Sequence, residues 1–575
     1  MWILGLNAPP LGWHDTAACL IDETGTVHAL IEEERVSRVK HGVHVYPRNA
    51  VQACLDLVGI TPRDIDVIAL GWDLPRQAAR TDLDRLDPPL PGRTWQFGDT
   101  RDFVERCLGH SFGPFDYPDV VYVPHHLAHA QLSFYASGMR EAGVLVVDGN
   151  GDEESVSIYS AAYGRPMKRH ARWPLPHSVG YMYDAVSRAI GLYFLEAGKT
   201  MGLAAYGRAR GVAPLPVFDV ADGAWSPPFD LPEHATHGEV IKAWHEHFSR
   251  LGFSYRGTPS DVLHEDEDAV RLAWSAQHSL QEVMGLLAAN ARRTTGIQDL
   301  CLSGGVALNC SANGLLPGTV YVPPVAGDIG VSLGAAWTVA PPQYTGRPLD
   351  PYLGRPLRQR DVDRELDTAG LTASGADPAD IAARLLDGQI GAVVTGRAEV
   401  GPRALCHRSI IAYPGSAAMK DRVNTAKGRE LWRPLGPVGL AECEDVHWKA
   451  GPLLHRYMVG AAEVSATGRA TVPSISHVDG TARPQVADSD TGIVHDVLLA
   501  MRAAGAEPVL INTSFNTRGE PLVDAPADAL KAAHVIGLDF IVLDDRIVVL
   551  RDRPVSSAAP TAPWPCHKEG SNDSG

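Results

Sequence analysis

Apolar residues in the first forty positions come in short runs separated by polar turns. "WILGLN" opens the chain, a Pro/Gly loop leads to Trp13, and "TAACLID", "ETGT" and "VHALIEEE" follow. The Gly-containing turn at residues 23–26 joins the last two runs as a β-hairpin. The layout returns at Gly143, where "GVLVVDGNGDEESVSIYS" reads as an apolar strand, a turn carrying "DGNGD" and another strand. Two such units opening two successive halves predict a duplicated domain with a cleft between them. Turns of this kind can hold phosphate through free backbone N–H groups.

The stretch from Arg271, "RLAWSAQHSLQEVMGLLAANARR", has the apolar period of a helix. After it, "DLCLSGGVALNCSANGLL" reads as a short strand, a Gly304-Gly305 turn and a helix start. Glycine there lets backbone approach a flat or anionic ligand closely. Residues 341–356, "PPQYTGRPLDPYLGRP", carry five prolines and read as an interdomain linker. The pattern predicts a first domain over 1–345, a second α/β domain over 346–554 and a disordered tail over 555–575.

Composition narrows the function. The 575 residues carry a net charge of -17, which disfavours a sequence-independent hold on nucleic acid phosphates. The chain contains no apolar run of about 18 residues and does not open on the basic-then-apolar plan of a signal peptide. Its eight cysteines are scattered without a CxxC pair, as expected of reduced thiols. The expectation is a soluble cytoplasmic enzyme with small-molecule partners, and neither nucleic acid nor membrane.

Three histidines crowd "PHHLAHA", residues 124–130. On a helix His125 and His129 are i and i+4, so both rings project from one face and can share a cation. A zinc peptidase would need glutamate where His126 stands, which disfavours that chemistry. Asp148, ending "GVLVVD", and Asp328, in "VPPVAGDIGVSLGAAW", can supply harder ligands. Two imidazoles and two carboxylates suit Fe(II), Mn(II) or Zn(II). The alternatives are a helix N-cap for Asp328 and a turn residue for Asp148. His14, in "GWHDTAACL", can take a proton from a hydroxyl, and Asp15 can orient it or simply form a turn. The second domain offers Arg403 and Arg408 in "GRAEVGPRALCHRS" and Lys427, Arg429 and Arg433 in "NTAKGRELWRPLGP". Arg483 follows in "TARPQ", with Asn512, Ser514 and Asn516 in "INTSFNTRGEP". That set suits a small dianion such as phosphate; solvated surface charge is the alternative.

Taken in order, "HDTAACLID", "IEEERVSRVKHG", "HHLAHA", "VVDGNGDEE", "GKTMGLAAYG", "SGGVALN", "PPVAGDIGVSLGAA", "KGRELWRP", "ARPQ" and "NTSFNTRGEP" resemble the O-carbamoyltransferase family over nearly the whole chain to about residue 550. The resemblance implies an actin/Hsp70-like (ASKHA) first domain, similar to the tRNA threonylcarbamoyl-transferase subunit, and a YrdC-like twisted α/β second domain. It implies that the second domain makes carbamoyladenylate from carbamoyl phosphate and ATP, with Mg(II). The first domain would then pass the carbamoyl group to an acceptor hydroxyl on an antibiotic sugar or macrocycle, aided by a metal, iron first.

Residue by residue, the resemblance makes His14 the general base and His125, His129, Asp148 and Asp328 the metal ligands. Lys40, Ser178, Gly180, Gly304, Gly305 and Asn309 match nucleotide-contacting positions. Arg403, Lys427, Arg433, Arg483, Asn512 and Ser514 match the carbamoyl phosphate and ATP pocket. The sequence departs from the family at Cys406, where glycine is usual, at "RPLGP" in place of "RPFAP", and in a loop at residues 424–427 one position shorter. The loop at residues 8–13, "APPLGW", looks individual and is expected to bear on acceptor choice. An actin-fold kinase and a nucleotide-dependent regulator are the competing classes; the basic pocket speaks against the regulator.

Overall fold

The structure, a computed structural model, describes residues 1–9, 14–74, 100–113, 116–221, 223–253 and 257–551. Most of the residue 8–13 loop and the whole of the tail at 555–575 therefore lie outside the described residues.

The first half is built twice. Its first sheet holds β1 (Trp2–Asn7), β2 (Ala17–Asp22), β3 (Val27–Glu32), β4 (Val67–Leu70) and β5 (Asp119–Tyr122). Their order is β3-β2-β1-β4-β5; β1 to β3 run antiparallel, and β4 and β5 run parallel to β1. The second sheet uses β6 (Glu141–Gly151), β7 (Glu154–Ala162) and β8 (Arg165–Pro174). A small hairpin, β9 (Asp219–Ala221) and β10 (Ala224–Ser226), intervenes before β11 (Leu300–Ser303) and β12 (Val320–Tyr321). From β8 inward the order is again 3-2-1-4-5 with the same directions. This repeated sheet is the duplication that the paired strand–turn–strand units predicted, and it is the actin/Hsp70-like fold that the resemblance implied.

The second half holds one eight-stranded mixed sheet. Its strands are β13 (Ser374–Gly375), β14 (Ile390–Val394), β15 (Arg408–Ala412), β16 (Gly436–Leu440), β19 (Gln485–Ala487), β20 (Val509–Ser514), β21 (Phe540–Leu543) and β22 (Arg546–Val549); β17 (Ala462–Glu463) and β18 (Thr481–Ala482) pair separately. Its central strands carry apolar residues toward both faces because both faces are covered. Val393, Ile411, Leu510 and Val542 enter one apolar cluster, while Val394, Ile410, Ile511 and Ile541 enter the other. That is the period-two alternation of a strand buried on both sides.

One helix fixes the architecture around the histidines. Val331–Val339 is apolar on nearly every face and packs against both β1 and the helix His125–Ser137. The two helices touch where Gly334 meets Ala128: a Cβ on Gly334 would lie 1.9 Å from the Ala128 carbonyl oxygen. Asp328 precedes this helix by one short turn and is thereby carried to the histidine face.

The proline-rich connector is pinned rather than free. The backbone of Leu353 accepts from Leu30 N–H on β3, Pro351 accepts from Val400 N–H, and Leu349 donates to Ala136. Trp432, Tyr457 and Val459 of the second half join the largest apolar cluster of the first, so the halves share core.

Candidate active site

At the start of the helix His125–Ser137, His125 and His129 are fully buried and their Nε2 atoms approach to 3.1 Å. Asp148, at the inner end of β6, places Oδ2 3.5 Å from His125 Nε2, and Asp328 Oδ1 lies 3.6 Å from both rings. One donor atom from each of the four falls within 4.8 Å of the others. Second contacts settle the ring tautomers. His125 Nδ1–H donates to the Gly71 carbonyl at 3.0 Å, which can only accept. Ser303 spends its hydroxyl proton on the Ala326 carbonyl, so its oxygen accepts from His129 Nδ1–H at 3.1 Å. Both Nε2 atoms therefore turn lone pairs toward the two carboxylates, the orientation metal ligation requires. The two carboxylates draw positive charge into the cluster: burial pulls the His125 pKa down, yet Asp148 and Asp328 override it and raise it to about 10, so a proton on Nε2 and a divalent cation compete for the same place. The residues fit a divalent cation.

His126, the residue between them, faces away. Ser157 donates to Glu154 and accepts from His126 Nδ1–H at 2.8 Å. Burial pulls the His126 pKa down to about 3, which leaves the ring neutral.

Beside this cluster, His14 Nδ1 bonds Asp15 Oδ2 and His41 Nδ1 bonds Asp15 Oδ1, each at 3.1 Å. Burial lowers the His14 pKa, but Asp15, through its hydrogen bond and charge, outweighs it; with Asp328 and Asp148 adding, it stands at about 9. Asp15 is thus an orienting partner, held at φ 54° in the left-handed region.

A cavity of about 490 Å³ runs from here into the second half. Its wall includes His14, Lys40, Asp148, Gly180, Gly305, Asn309 and Asp328, and also Arg403 and Ser514. Gly305 N–H donates to Asp148 Oδ1 at 2.8 Å and helps aim the carboxylate. Gly304 sits at φ 92° with the Val147 carbonyl 2.3 Å from where a Cβ would be, so only glycine fits. Asn309 pairs amide to amide with Gln277 at 2.9 and 3.0 Å. Lys40 donates to the Glu520 carbonyl at 3.2 Å. Ser178 lies behind the wall, capping the helix Val179–Ala189 and donating to the Gly149 carbonyl at 2.7 Å.

Of the basic residues the sequence offered in the second half, Arg403, Lys427, Arg429, Arg433 and Arg483 gather, whereas Arg408 is fully buried on β15 and donates to the Thr395 carbonyl at 2.6 Å. Lys427 reaches Ser514 and Asn516 Oδ1, the latter at 3.2 Å, and burial with neighbouring Arg429, Arg433 and Lys40 drives its pKa well down. Arg403 donates to the Leu308 carbonyl at 3.1 Å; burial, then the nearby Arg483, lowers it to about 9. Arg433 faces Glu430 at 3.5 Å. Asn512 is buried inside the sheet, donating to Gln485 at 2.7 Å and the Ala404 carbonyl at 2.9 Å. Packed cations with so little compensating acid have the chemistry to hold an anion.

The Carbamoyltransferase N-terminus family matches residues 103–337, and the Carbamoyltransferase C-terminus family matches residues 382–550. Nodulation protein NolNO of Sinorhizobium fredii is 31% identical over 566 residues, covering 95% of this chain and 80% of that protein. The chain belongs to the carbamoyltransferase family. Within it, the 3'-hydroxymethylcephem-O-carbamoyltransferase of Amycolatopsis lactamdurans is 34% identical over 257 residues, 43% of this chain and 48% of that one. Among solved structures, an archaeal actin homologue aligns with 59% of this chain and 99% of its own at 12% identity and a TM-score of 0.25; the fold rests on the strand order above.

The sequence reading missed three contributors. His41, next to Lys40, shares Asp15 with His14. Trp72 lies 3.8 Å, ring to ring, from His125 and donates to Asn7. Ser303 fixes the His129 tautomer. The "KHG" run was the available signal for His41, and the end of the strand "LCLS" just before Gly304-Gly305 was the signal for Ser303; Trp72 follows β4, whose place beside β1 only the topology shows. The described cysteines are all buried and free, and no helix among the described residues is long and apolar enough to cross a membrane.

Proposed function

We propose that this carbamoyltransferase joins carbamoyl phosphate and ATP into carbamoyladenylate and then carbamoylates a hydroxyl of a small natural product. The observation that carries this reading is the single cavity whose wall includes His14, Asp148 and Asp328 at the first half and Arg403 and Ser514 at the second. In the balanced sequence, carbamoyl phosphate and water give carbamate and phosphate. Carbamate attacks the α-phosphate of ATP, releasing pyrophosphate, and the acceptor hydroxyl then attacks the carbamoyl carbon, releasing AMP.

The side chains divide this work. Arg403, Arg483, Lys427 and Arg433 neutralise phosphoryl oxygens at the donor end, where burial strengthens each contact. Gly304 and Gly305 keep a flat backbone wall for the nucleotide. At the acceptor end, His14 carries Nδ1–H toward Asp15, which makes Nε2 the position that takes the hydroxyl proton. His125, His129, Asp148 and Asp328 would hold a divalent metal, Fe(II), Mn(II) or Zn(II), which when bound supplies Lewis acidity toward phosphate oxygen. Enclosure keeps water from the activated carbamoyl group.

The test is pyrophosphate release by metal-loaded protein given ATP, Mg(II) and carbamoyl phosphate, omitting each in turn. Release that needs both substrates supports the donor half-reaction. His14→Asn should retain it and lose carbamoyl transfer across a panel of hydroxylated acceptors; equal loss of both steps would refute the division of labour. A phosphorylated acceptor without added carbamoyl mass would favour a kinase instead.

A further inference from the structure

The loop that carries Lys427, Arg429 and Arg433 has two faces. Lys427 meets the cavity-wall residue Ser514 with Arg429 and Arg433 nearby, whereas Glu430 and Trp432, between them in the chain, contact the first half. Trp432 is buried, donates its indole N–H to the Ser260 carbonyl at 2.9 Å and accepts from Tyr206 at 3.3 Å through its own carbonyl. Glu430 is 3% exposed. Its Oε1 receives Lys199 Nζ at 2.9 Å and Ser260 Oγ at 2.5 Å, both from the first half, while Oε2 faces Arg433 at 3.5 Å. Lys199 sits on the helix Ala197–Ala209, whose first residues line the cavity, and it also holds Glu196 at 2.7 Å.

Arg518 also lies 3.7 Å from Oε1. A buried carboxylate shared among three cations divides its attraction among them. With Lys199 and Ser260 holding one oxygen, Glu430 leaves Arg433 in a loose pair, free to engage a phosphoryl group. Without the Lys199 charge, more of the carboxylate's pull falls to Arg433, which must then be drawn from it before it can bind donor. We propose that Glu430 is a positioning residue, and that Lys199 of the first half sets through it how tightly the second half binds the anionic donor. This rests on the reading that Arg433 serves the donor pocket, and it goes beyond it: a residue of the first half that touches the donor pocket only through Glu430 controls its affinity.

The experiment is calorimetric titration of carbamoyl phosphate, with inorganic phosphate as a second probe, into the full chain carrying Lys199→Met, Lys199→Arg or no change. Steady-state pyrophosphate release is measured alongside. Lys199→Met should weaken carbamoyl phosphate binding about five- to tenfold, the size expected for one half-buried charge. KM for carbamoyl phosphate should rise by the same factor with kcat held, and Lys199→Arg should stay near the unaltered protein. Unchanged binding in Lys199→Met would overturn the proposal, as would loss of kcat with KM unmoved. Tight binding without pyrophosphate release in the unaltered protein would sink the adenylation reading alone and leave this one standing on the binding data.

Discussion

Alanine in place of Gly334 tests how the fold delivers its metal ligands. The added Cβ would sit 1.9 Å from the Ala128 carbonyl oxygen and 2.7 Å from the Ala128 carbonyl carbon. A carbon–oxygen contact relaxes at about 3.3 Å, so the helices Val331–Val339 and His125–Ser137 must part locally by roughly 1.4 Å. Backbone faces backbone here, so no side chain can yield, and the cost falls at the upper end of overpacking, about 3 kcal/mol. Glycine to alanine also favours any helix by about 1 kcal/mol, which would mask part of the loss. Gly285 isolates that term. It lies inside the helix Glu267–Thr295, and a Cβ there meets nothing within 4 Å. Gly285→Ala should stabilise the protein, Gly334→Ala should destabilise it, and the difference should be near the clash term itself, about 3 kcal/mol. Urea unfolding midpoints of both variants measure it. Because Asp328 leads into one helix and His129 follows Ala128 on the other, metal content by elemental analysis should fall in Gly334→Ala alone. Equal midpoints for the two variants, with full metal content in both, would refute the argument that this contact sets the ligand geometry.

Two further outcomes follow from the site. Ser303→Ala leaves His129 Nδ1–H without its acceptor, so metal affinity should fall about 10- to 100-fold by competition with a chelator, while the fold persists. Asp15 is the strongest influence raising His14, so Asp15→Asn should lower the pKa of the base; the acid limb of the transfer pH profile should move down by about 1 pH unit, with a lower plateau because His14 is no longer oriented. The sign is decisive: a general base works only when unprotonated, so transfer is lost as pH falls through that pKa, and an acid limb displaced upward would exclude this role for Asp15.

What could be read from the sequence was whatever is local. The i, i+4 histidine pair, the Gly304-Gly305 turn after a strand, and the repeated strand–turn–strand units each express short-range geometry, and the structure reproduces them. Asp148 and Asp328 are 180 positions apart, and spacing alone left a cap or a turn as alternatives for each; it took the packing of Val331–Val339 on the histidine helix to join them. The linker shows the same limit. Its prolines indicate an extended chain, but not that Leu353 pairs with β3 or that Pro351 holds Val400.

Cys406 carries this point furthest. It stands at φ 81°, a conformation that favours glycine, so the departure noted in the sequence is a side chain placed where the backbone disfavours one. The structure supplies compensation. The Cys406 N–H donates to Ser409 Oγ at 3.0 Å, and its sulfur lies 3.4 Å from both the Gln485 and Asn512 amides. Asn512 is the same residue that the resemblance assigned to the donor pocket, and here its amide is committed to Gln485, the Ala404 carbonyl and this sulfur. A glycine at 406 would remove one of those partners and loosen Asn512 toward the cavity. If Asn512 serves the donor pocket as the resemblance implies, Cys406→Gly should weaken carbamoyl phosphate binding, and unchanged binding would show that the thiol only fills the space beside that amide.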